Sequence, residues 1–149
     1  MAFETKNETT IISRVPPKRI LVVDDSPDVA EAMHDMLVAL GHQVELAPDG
    51  REALAVYKPG KFDLVITDYA MPRMNGVELS ETIKRRSPQQ LVMMVTAFTF
   101  TIAAYDGRPL PVDCILRKPF HPKELNDTLT RMFGPGEQPR PLMARSASV

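Results

Sequence analysis

The feature that most constrains the fold of this chain is a short apolar run that ends on an acid. Residues 64–67 read Leu-Val-Ile-Thr and are followed by Asp68. A continuous run of apolar and β-branched residues is typical of a strand that is buried on both faces of a parallel sheet. A carboxylate at the carboxyl end of such a strand points into the crevice where open α/β sheets bind their ligands. Asp68 is therefore the first candidate for chemistry.

Three further apolar runs also end on polar side chains with chemical potential. These runs are residues 19–23 before Asp24 and Asp25, residues 91–95 before Thr96, and residues 114–117 before Lys118 and Pro119. Three acids, one hydroxyl and one ammonium therefore stand at the carboxyl ends of four predicted strands. A fifth predicted strand covers residues 43–47, and the last strand along the chain is predicted to run from about Val112 to Arg117.

Helix signals alternate with these strands. Ser26 is predicted to cap a helix that begins at Pro27, and Asp49 to cap a second one. A third helix follows the loop after Asp68, and a last helix begins near His121. Alternating strands and helices predict the α/β class, with a parallel sheet and helices on both of its faces.

The segment after Thr96 departs from this alternation. A helix is expected over residues 99–105, but threonine, isoleucine and aromatic residues are mediocre helix formers. Residues 106–111 then form a loop with two prolines. The sequence therefore predicts a short or poorly ordered helix here.

Composition limits the kinds of partner. With 149 residues, 44% of them hydrophobic and 25% charged, the chain suits one globular domain. A net charge of −1 argues against direct binding of nucleic acid. The sequence shows no signal-peptide pattern, no apolar run long enough to span a bilayer, and a single cysteine, Cys114. We expect a cytoplasmic protein that does not bind membranes.

Together, the motifs at the strand ends carry a resemblance. In order along the chain they are Asp-Asp, Asp-x-x-Met-Pro-x-Met-x-Gly, Thr-Ala and Lys-Pro-Phe, starting at Asp24, Asp68, Thr96 and Lys118. This pattern resembles the CheY-like receiver domain of two-component response regulators, some of which are stand-alone proteins. The resemblance implies a doubly wound, flavodoxin-like sheet of five parallel strands in the order 2-1-3-4-5.

That strand order would place Asp24 and Asp25 beside Asp68. Three neighbouring carboxylates repel each other and require a cation or protons, and oxygen ligands of this kind suit Mg²⁺. The resemblance implies that Asp25, Asp68 and the backbone carbonyl of Ala70 ligate Mg²⁺ directly, and that Asp24 acts mostly through water. It also implies that Asp68 is the phosphoacceptor.

The same resemblance assigns the remaining site residues. Lys118 would pair with one phosphoryl oxygen and Thr96 would donate a hydrogen bond to another. The bond before Pro119 would be cis, which would turn Lys118 into the crevice. Receivers typically carry a switch aromatic three positions before the motif lysine, where this chain has Ile115. We therefore expect phosphorylation to act on the loosely helical segment 98–111 instead.

The resemblance also implies partners. A sensor histidine kinase or a histidine phosphotransfer protein would supply the phosphoryl group. The signal would pass to a downstream protein through a face formed by residues 98–111, strand five and the last helix, and a phosphorylation-dependent homodimer is left open. Apart from its own phosphorylation and dephosphorylation, no turnover of a separate substrate is expected.

The chain divides into three predicted regions. Residues 1–17 read as a flexible leader, residues 18–133 as the receiver domain, and residues 134–149 as a disordered tail rich in proline and glycine. The regions outside the receiver are too short for a DNA-binding or catalytic output domain, so we expect either a stand-alone regulator that acts by protein–protein contact or a receiver cut from a larger protein.

Two alternatives remain open from the sequence. A degenerate receiver would be a binding module that is not phosphorylated, which the missing switch aromatic allows. A haloacid-dehalogenase-type phosphatase also uses an aspartyl phosphate, Mg²⁺, a threonine and a lysine. However, the phosphatase pattern is Asp-x-Asp at the first strand, where this chain has adjacent Asp24 and Asp25.

Overall fold

Five parallel strands and four helices make up the described part of the chain. The computed structural model describes residues 13–97 and 108–134. The strands are β1 (Arg19–Val23), β2 (Gln43–Ala47), β3 (Leu64–Asp68), β4 (Leu91–Thr96) and β5 (Cys114–Arg117). The helices are α1 (Pro27–Ala39), α2 (Gly50–Val56), α3 (Gly76–Arg86) and α4 (Pro122–Phe133).

The strands form one sheet in the order β2-β1-β3-β4-β5, which confirms the predicted order. β1 and β3 are neighbours, and their pairing ends with Val23 opposite Thr67. β3 and β4 pair one residue further, up to Asp68 opposite Val95. The carboxyl ends of β1, β3 and β4 therefore lie side by side at one edge of the sheet.

The first two helices begin where the sequence predicts caps, and α3 has a cap that was not predicted. The Ser26 side chain accepts the Val29 N–H at the start of α1, and the Asp49 side chain accepts the Glu52 N–H at the start of α2. At α3, Asn75 and Glu78 form a capping box. These bonds satisfy amide groups that have no partner within the helix. These bonds fix the points at which α1, α2 and α3 begin after β1, β2 and β3.

The core lies in two layers, one on each face of the sheet. Leu64 and Ile66 belong to the layer that contains residues of α1 and α4, and Val65 belongs to the layer that contains residues of α2 and α3. The first four residues of β3 are buried, as the apolar run predicts. Burying one large aliphatic side chain contributes about 1.5–3 kcal/mol. β3 is thus held rigidly from both sides, and Asp68 stands at its end.

Some sequence predictions differ from the structure, and others are not tested by it. β5 begins at Cys114, two residues later than the predicted strand over 112–117, although Val112 is buried. The predicted short helix over residues 99–105 lies outside the described residues. The domain division at residues 17 and 133 stays a prediction, but Val15, within the predicted leader, is buried against the α1 and α4 layer.

Candidate functional site

Three carboxylates meet at the carboxyl edge between β1 and β3. One oxygen from each of Asp24, Asp25 and Asp68 lies within 4.8 Å of the others. Asp24 directly follows β1 and is 7% exposed, and Asp68 is the last residue of β3. The register of the two strands brings these acids together, because Val23 pairs with Thr67. The predicted convergence of the acids is confirmed.

Lys118 reaches this cluster from the far side of β4. Its Nζ lies 3.4 Å from Asp24 Oδ2 and 3.4 Å from Asp68 Oδ1. Its backbone N–H donates to the Thr96 carbonyl at 3.0 Å, which ties the end of β5 to the end of β4. The bond between Lys118 and Pro119 is cis, as predicted. The ammonium therefore lies between two of the three acids.

One of the two carboxylate oxygens of Asp68 accepts hydrogen bonds from its neighbours. Oδ1 accepts the backbone N–H of Tyr69 at 2.9 Å and also faces Lys118. Burial raises the pKa of Asp68, and the charge of Asp24 raises it further, whereas Lys118 and the Tyr69 N–H lower it. The net shift is upward. A further positive charge beside this carboxylate would therefore favour its ionised form.

The remaining predicted residues lie around this cluster. Thr96 ends β4 and is fully buried, and it is paired with Arg117, the residue before Lys118. Ala70 is exposed in the loop after β3. Ile115 is partly buried and packs against the layer of α2 and α3, on an element next to the site. The roles of Thr96, Ala70 and Ile115 stay predictions.

The donor set of this cluster fits Mg²⁺. It consists of three carboxylates on adjacent elements, with Asp25 exposed to solvent and Asp68 partly buried. Mg²⁺ prefers oxygen ligands and retains several waters, which a crevice open on one side can supply. Burial chiefly, and the charge of Asp24 in addition, raise the pKa of Asp68, and a cation bound here would favour the ionised carboxylate against both effects.

The sequence of the chain matches the model of a known protein family. Residues 20–130 match the family model of the response regulator receiver domain. The chain belongs to this receiver family. Domains of this family are the receiver domains of two-component response regulators.

The relatives of the receiver domain are response regulators. The chain is 36% identical over 131 residues to the transcriptional regulatory protein TcrA of Mycobacterium tuberculosis, and the alignment covers 86% of this chain and 51% of TcrA. It is 37% identical over 108 residues to the DNA-binding response regulator MtrA of Mycolicibacterium smegmatis, covering 72% of this chain and 47% of MtrA. The chain thus spans about half the length of these curated relatives.

Solved structures agree with this family. The chemotaxis protein CheY4 of Vibrio cholerae superposes with a TM-score of 0.72 at 34% identity, covering 78% of this chain and 99% of CheY4. The response regulator TrrA of Thermotoga maritima, solved in complex with Mg²⁺ and BeF, gives 0.69 at 31% identity, covering 76% of this chain and 96% of TrrA. These matches favour the receiver over the phosphatase alternative. Within the described residues, no helix of the receiver is long and apolar enough to span a membrane.

Sequence reasoning missed three contributors to the geometry around Asp68. The Tyr69 backbone N–H donates to the Asp68 carboxylate, and the Thr67 hydroxyl donates to the Asp68 carbonyl. The α-carbon of Gly76 closely approaches the same carbonyl. Thr67 looked like an ordinary β-branched strand residue, and Gly76 like an ordinary turn residue. Backbone amides leave no sequence signal, so only the glycine of the loop motif hinted at a close approach.

Proposed function

We propose that this receiver accepts a phosphoryl group on Asp68 from a phosphohistidine of a sensor kinase or a histidine phosphotransfer protein. The observation that carries the proposal is the position of Lys118. Its ammonium lies 3.4 Å from a carboxylate that stands at a strand end beside two other acids. A nucleophile, a fixed cation and a set of oxygen ligands are thus present in one crevice.

The transfer follows from the chemistry of these groups. A lone pair of an Asp68 carboxylate oxygen attacks phosphorus, and the phosphorus–nitrogen bond to the donor imidazole breaks. The electron pair of that bond stays on the imidazole nitrogen, which takes up a proton, and Asp68 becomes an acyl phosphate. Lys118 then moves its hydrogen bonds from the carboxylates to a phosphoryl oxygen, and the Thr96 hydroxyl donates to another.

Asp25, Asp68 and the Ala70 carbonyl would hold Mg²⁺ directly, with Asp24 acting through water. When bound, Mg²⁺ supplies positive charge that neutralises a phosphoryl oxygen. Asp24 also faces Lys118 at 3.4 Å, so it restrains the ammonium near Asp68 until a phosphoryl group arrives.

We place the docking surface of the phosphoryl donor on a groove beside Lys118. The groove has a volume of about 330 Å³ and lies between α1 and the segment that begins at Lys118. It is lined by Asp28, Val29, Ala32, Met33, Met36, Lys118, Pro119 and Phe120. A donor that brings its phosphohistidine to Asp68 must cover the surface around Lys118. An apolar donor surface seated here would bury Val29 and Phe120.

The output is proposed to leave through β5 and α4, together with residues 98–111, of which 98–107 lie outside the described residues. Ile115 lies on β5 and cannot swing an aromatic ring, so the order of 98–111 would carry the change. Amide hydrogen exchange with and without beryllofluoride tests this, and unchanged protection over 98–111 contradicts it. The downstream partner would be a protein, and we further propose a cytoplasmic location and no turnover of a separate substrate.

The experiment that tests the acceptor is incubation with acetyl phosphate and Mg²⁺, read by intact mass. We expect the mass of one phosphoryl group to be added to the wild type and none to Asp68→Asn. Chelating the metal should also prevent the addition. Labelling that persists in Asp68→Asn would contradict the assignment. Multiple turnovers of p-nitrophenyl phosphate that require Asp24 would instead favour the phosphatase alternative.

A further inference from the structure

The peptide group between Asp68 and Tyr69 connects a buried hydroxyl to the acceptor carboxylate. Its carbonyl oxygen, which belongs to Asp68, accepts a hydrogen bond from Thr67 Oγ1 at 2.9 Å. Its N–H, which belongs to Tyr69, donates to Asp68 Oδ1 at 2.9 Å. One planar group therefore carries both bonds, and its orientation sets the direction of the N–H that holds the carboxylate.

The sheet alone supports this peptide weakly. The pairing of β3 with β1 ends at Thr67, and only the pairing with β4 continues to Asp68. The Thr67 side chain is fully buried, on the same face of β3 as Val65 because side chains alternate along a strand. From α3, Gly76 approaches the Asp68 carbonyl so closely that an added Cβ would overlap it. The Thr67 hydroxyl thus restrains the acceptor peptide just where the strand ladder stops on one side.

We propose that Thr67 is a positioning residue for phosphoryl acceptance, an inference that rests on the proposed function of Asp68. Its hydroxyl fixes the plane of the 68–69 peptide, and the Tyr69 N–H in turn fixes the carboxylate. A hydrogen bond to a peptide carbonyl also strengthens the donor at the other end of the same peptide. The carboxylate is thereby aligned before the phosphoryl group arrives, which lowers the barrier to in-line attack.

Thr67→Val tests this, because valine keeps the shape of threonine and removes the hydroxyl. Thr67→Ser keeps the hydroxyl. The matched control is Thr128→Val, since Thr128 is 2% exposed and its Oγ1 donates to the Glu124 carbonyl at 2.8 Å within α4. All variants are phosphorylated with acetyl phosphate and Mg²⁺ at a temperature where each is fully folded.

We expect the maximal rate constant of Thr67→Val to fall about tenfold at an unchanged half-saturating donor concentration, as the loss of one aligning hydrogen bond implies. Thr67→Ser should stay within about twofold of the wild type, and Thr128→Val should be unaffected. A purely structural role would lower the melting temperature of Thr67→Val without this change in rate constant.

A second measurement needs neither donor nor metal. In the unphosphorylated protein, the amide proton of Tyr69 should move to lower chemical shift in Thr67→Val. The reason is that the Asp68 carbonyl, which belongs to the same peptide group, no longer accepts a hydrogen bond that polarises it. It should stay near the wild-type position in Thr67→Ser and in Thr128→Val. An unmoved Tyr69 amide in Thr67→Val would overturn the proposed connection between Thr67 and the carboxylate.

The outcomes separate this inference from the function on which it rests. If the wild type is labelled at Asp68 and Thr67→Val is labelled at the same rate, only the positioning role of Thr67 is overturned. If the wild type is not labelled at all, the proposed acceptor function fails, and this inference fails with it.

Discussion

Replacing Gly76 with alanine would place a methyl group against the backbone that carries the acceptor. An added Cβ would overlap the Asp68 carbonyl oxygen and lie 3.0 Å from Tyr69 Cα. Gly50 provides a matched control, because both glycines are the first residues of their helices. A Cβ at Gly50 would meet Met74 Sδ at 2.6 Å, which is the flexible end of a side chain. The two substitutions therefore differ chiefly in whether the neighbour can move.

The magnitude follows from two opposing contributions. Alanine is favoured over glycine in a helix by up to about 1 kcal/mol. Forcing an extra methyl group into an unyielding site costs about 1–3 kcal/mol or more. The Asp68 carbonyl is held by the Thr67 hydroxyl and by a strand buried on both faces, so it cannot move away cheaply.

We therefore expect Gly76→Ala to lose roughly 2 kcal/mol of unfolding free energy, and Gly50→Ala to change it by less than about 0.5 kcal/mol, because methionine adapts its shape. For a chain of this size, the loss corresponds to a fall of about 4–8 °C in melting temperature. Displacing the Asp68 carbonyl also misaligns the carboxylate, so Gly76→Ala should be phosphorylated more slowly by acetyl phosphate.

The assay is thermal unfolding followed by circular dichroism in buffer without Mg²⁺, supplemented by urea titration at 25 °C. Phosphorylation is measured by intact mass at a temperature where all variants are folded. If Gly76→Ala and Gly50→Ala melted within about 1 °C of each other, the backbone around Asp68 would be free to adjust. The argument for a rigid acceptor backbone would then be refuted.

Three further predictions concern charge. Asp68→Asn should raise the unfolding free energy by roughly 1 kcal/mol at pH 7 without Mg²⁺, because the raised pKa of Asp68 makes its ionised form unfavourable. Urea titration should show the gain shrinking as the pH falls toward about 4, since the folded protein takes up a proton on Asp68 before the unfolded chain does. A loss of stability at pH 7 would contradict this prediction. Lys118→Met should slow phosphorylation by about 100-fold, since it removes the cation that faces the phosphoryl oxygens; a rate near that of the wild type under saturating acetyl phosphate would exclude this role. Burial and the charge of Lys18 lower the pKa of His42. Below about pH 6.5 the histidine of the unfolded chain therefore takes up a proton while the folded one does not. The unfolding free energy should fall there by at most about 1.4 kcal/mol per pH unit. His42→Asn keeps an acceptor for the Lys18 N–H, which His42 Nδ1 accepts at 3.0 Å, and should lose this part of the pH dependence in melting curves between pH 7 and 5.5.

Local patterns in the sequence were sufficient for the elements and the candidate residues. The apolar run before Asp68 predicted a strand buried on both faces, and Ser26 and Asp49 marked helix starts that the structure confirms. These signals are local, because burial on two faces requires a continuous apolar run and a helix start requires a short polar side chain. The strand order came from the resemblance of four motifs and not from the crossover rule, which permits several orders.

The tertiary structure decided how the candidate residues meet. Asp24 and Lys118 are 94 positions apart, yet Lys118 Nζ lies 3.4 Å from Asp24 Oδ2. The two residues meet because β1, β3, β4 and β5 pair side by side as parallel strands, so that their carboxyl ends lie at the same edge of the sheet. The raised pKa of Asp68 depends on burial and on the charges of neighbours from other elements, which no local pattern contains. The Thr67 hydroxyl contacts the Asp68 carbonyl from the neighbouring residue, whereas the Gly76 α-carbon approaches the same carbonyl only because α3 packs against the end of β3. Residue types and their order are properties of the chain, whereas distances, burial and charge coupling arise when distant segments pack together.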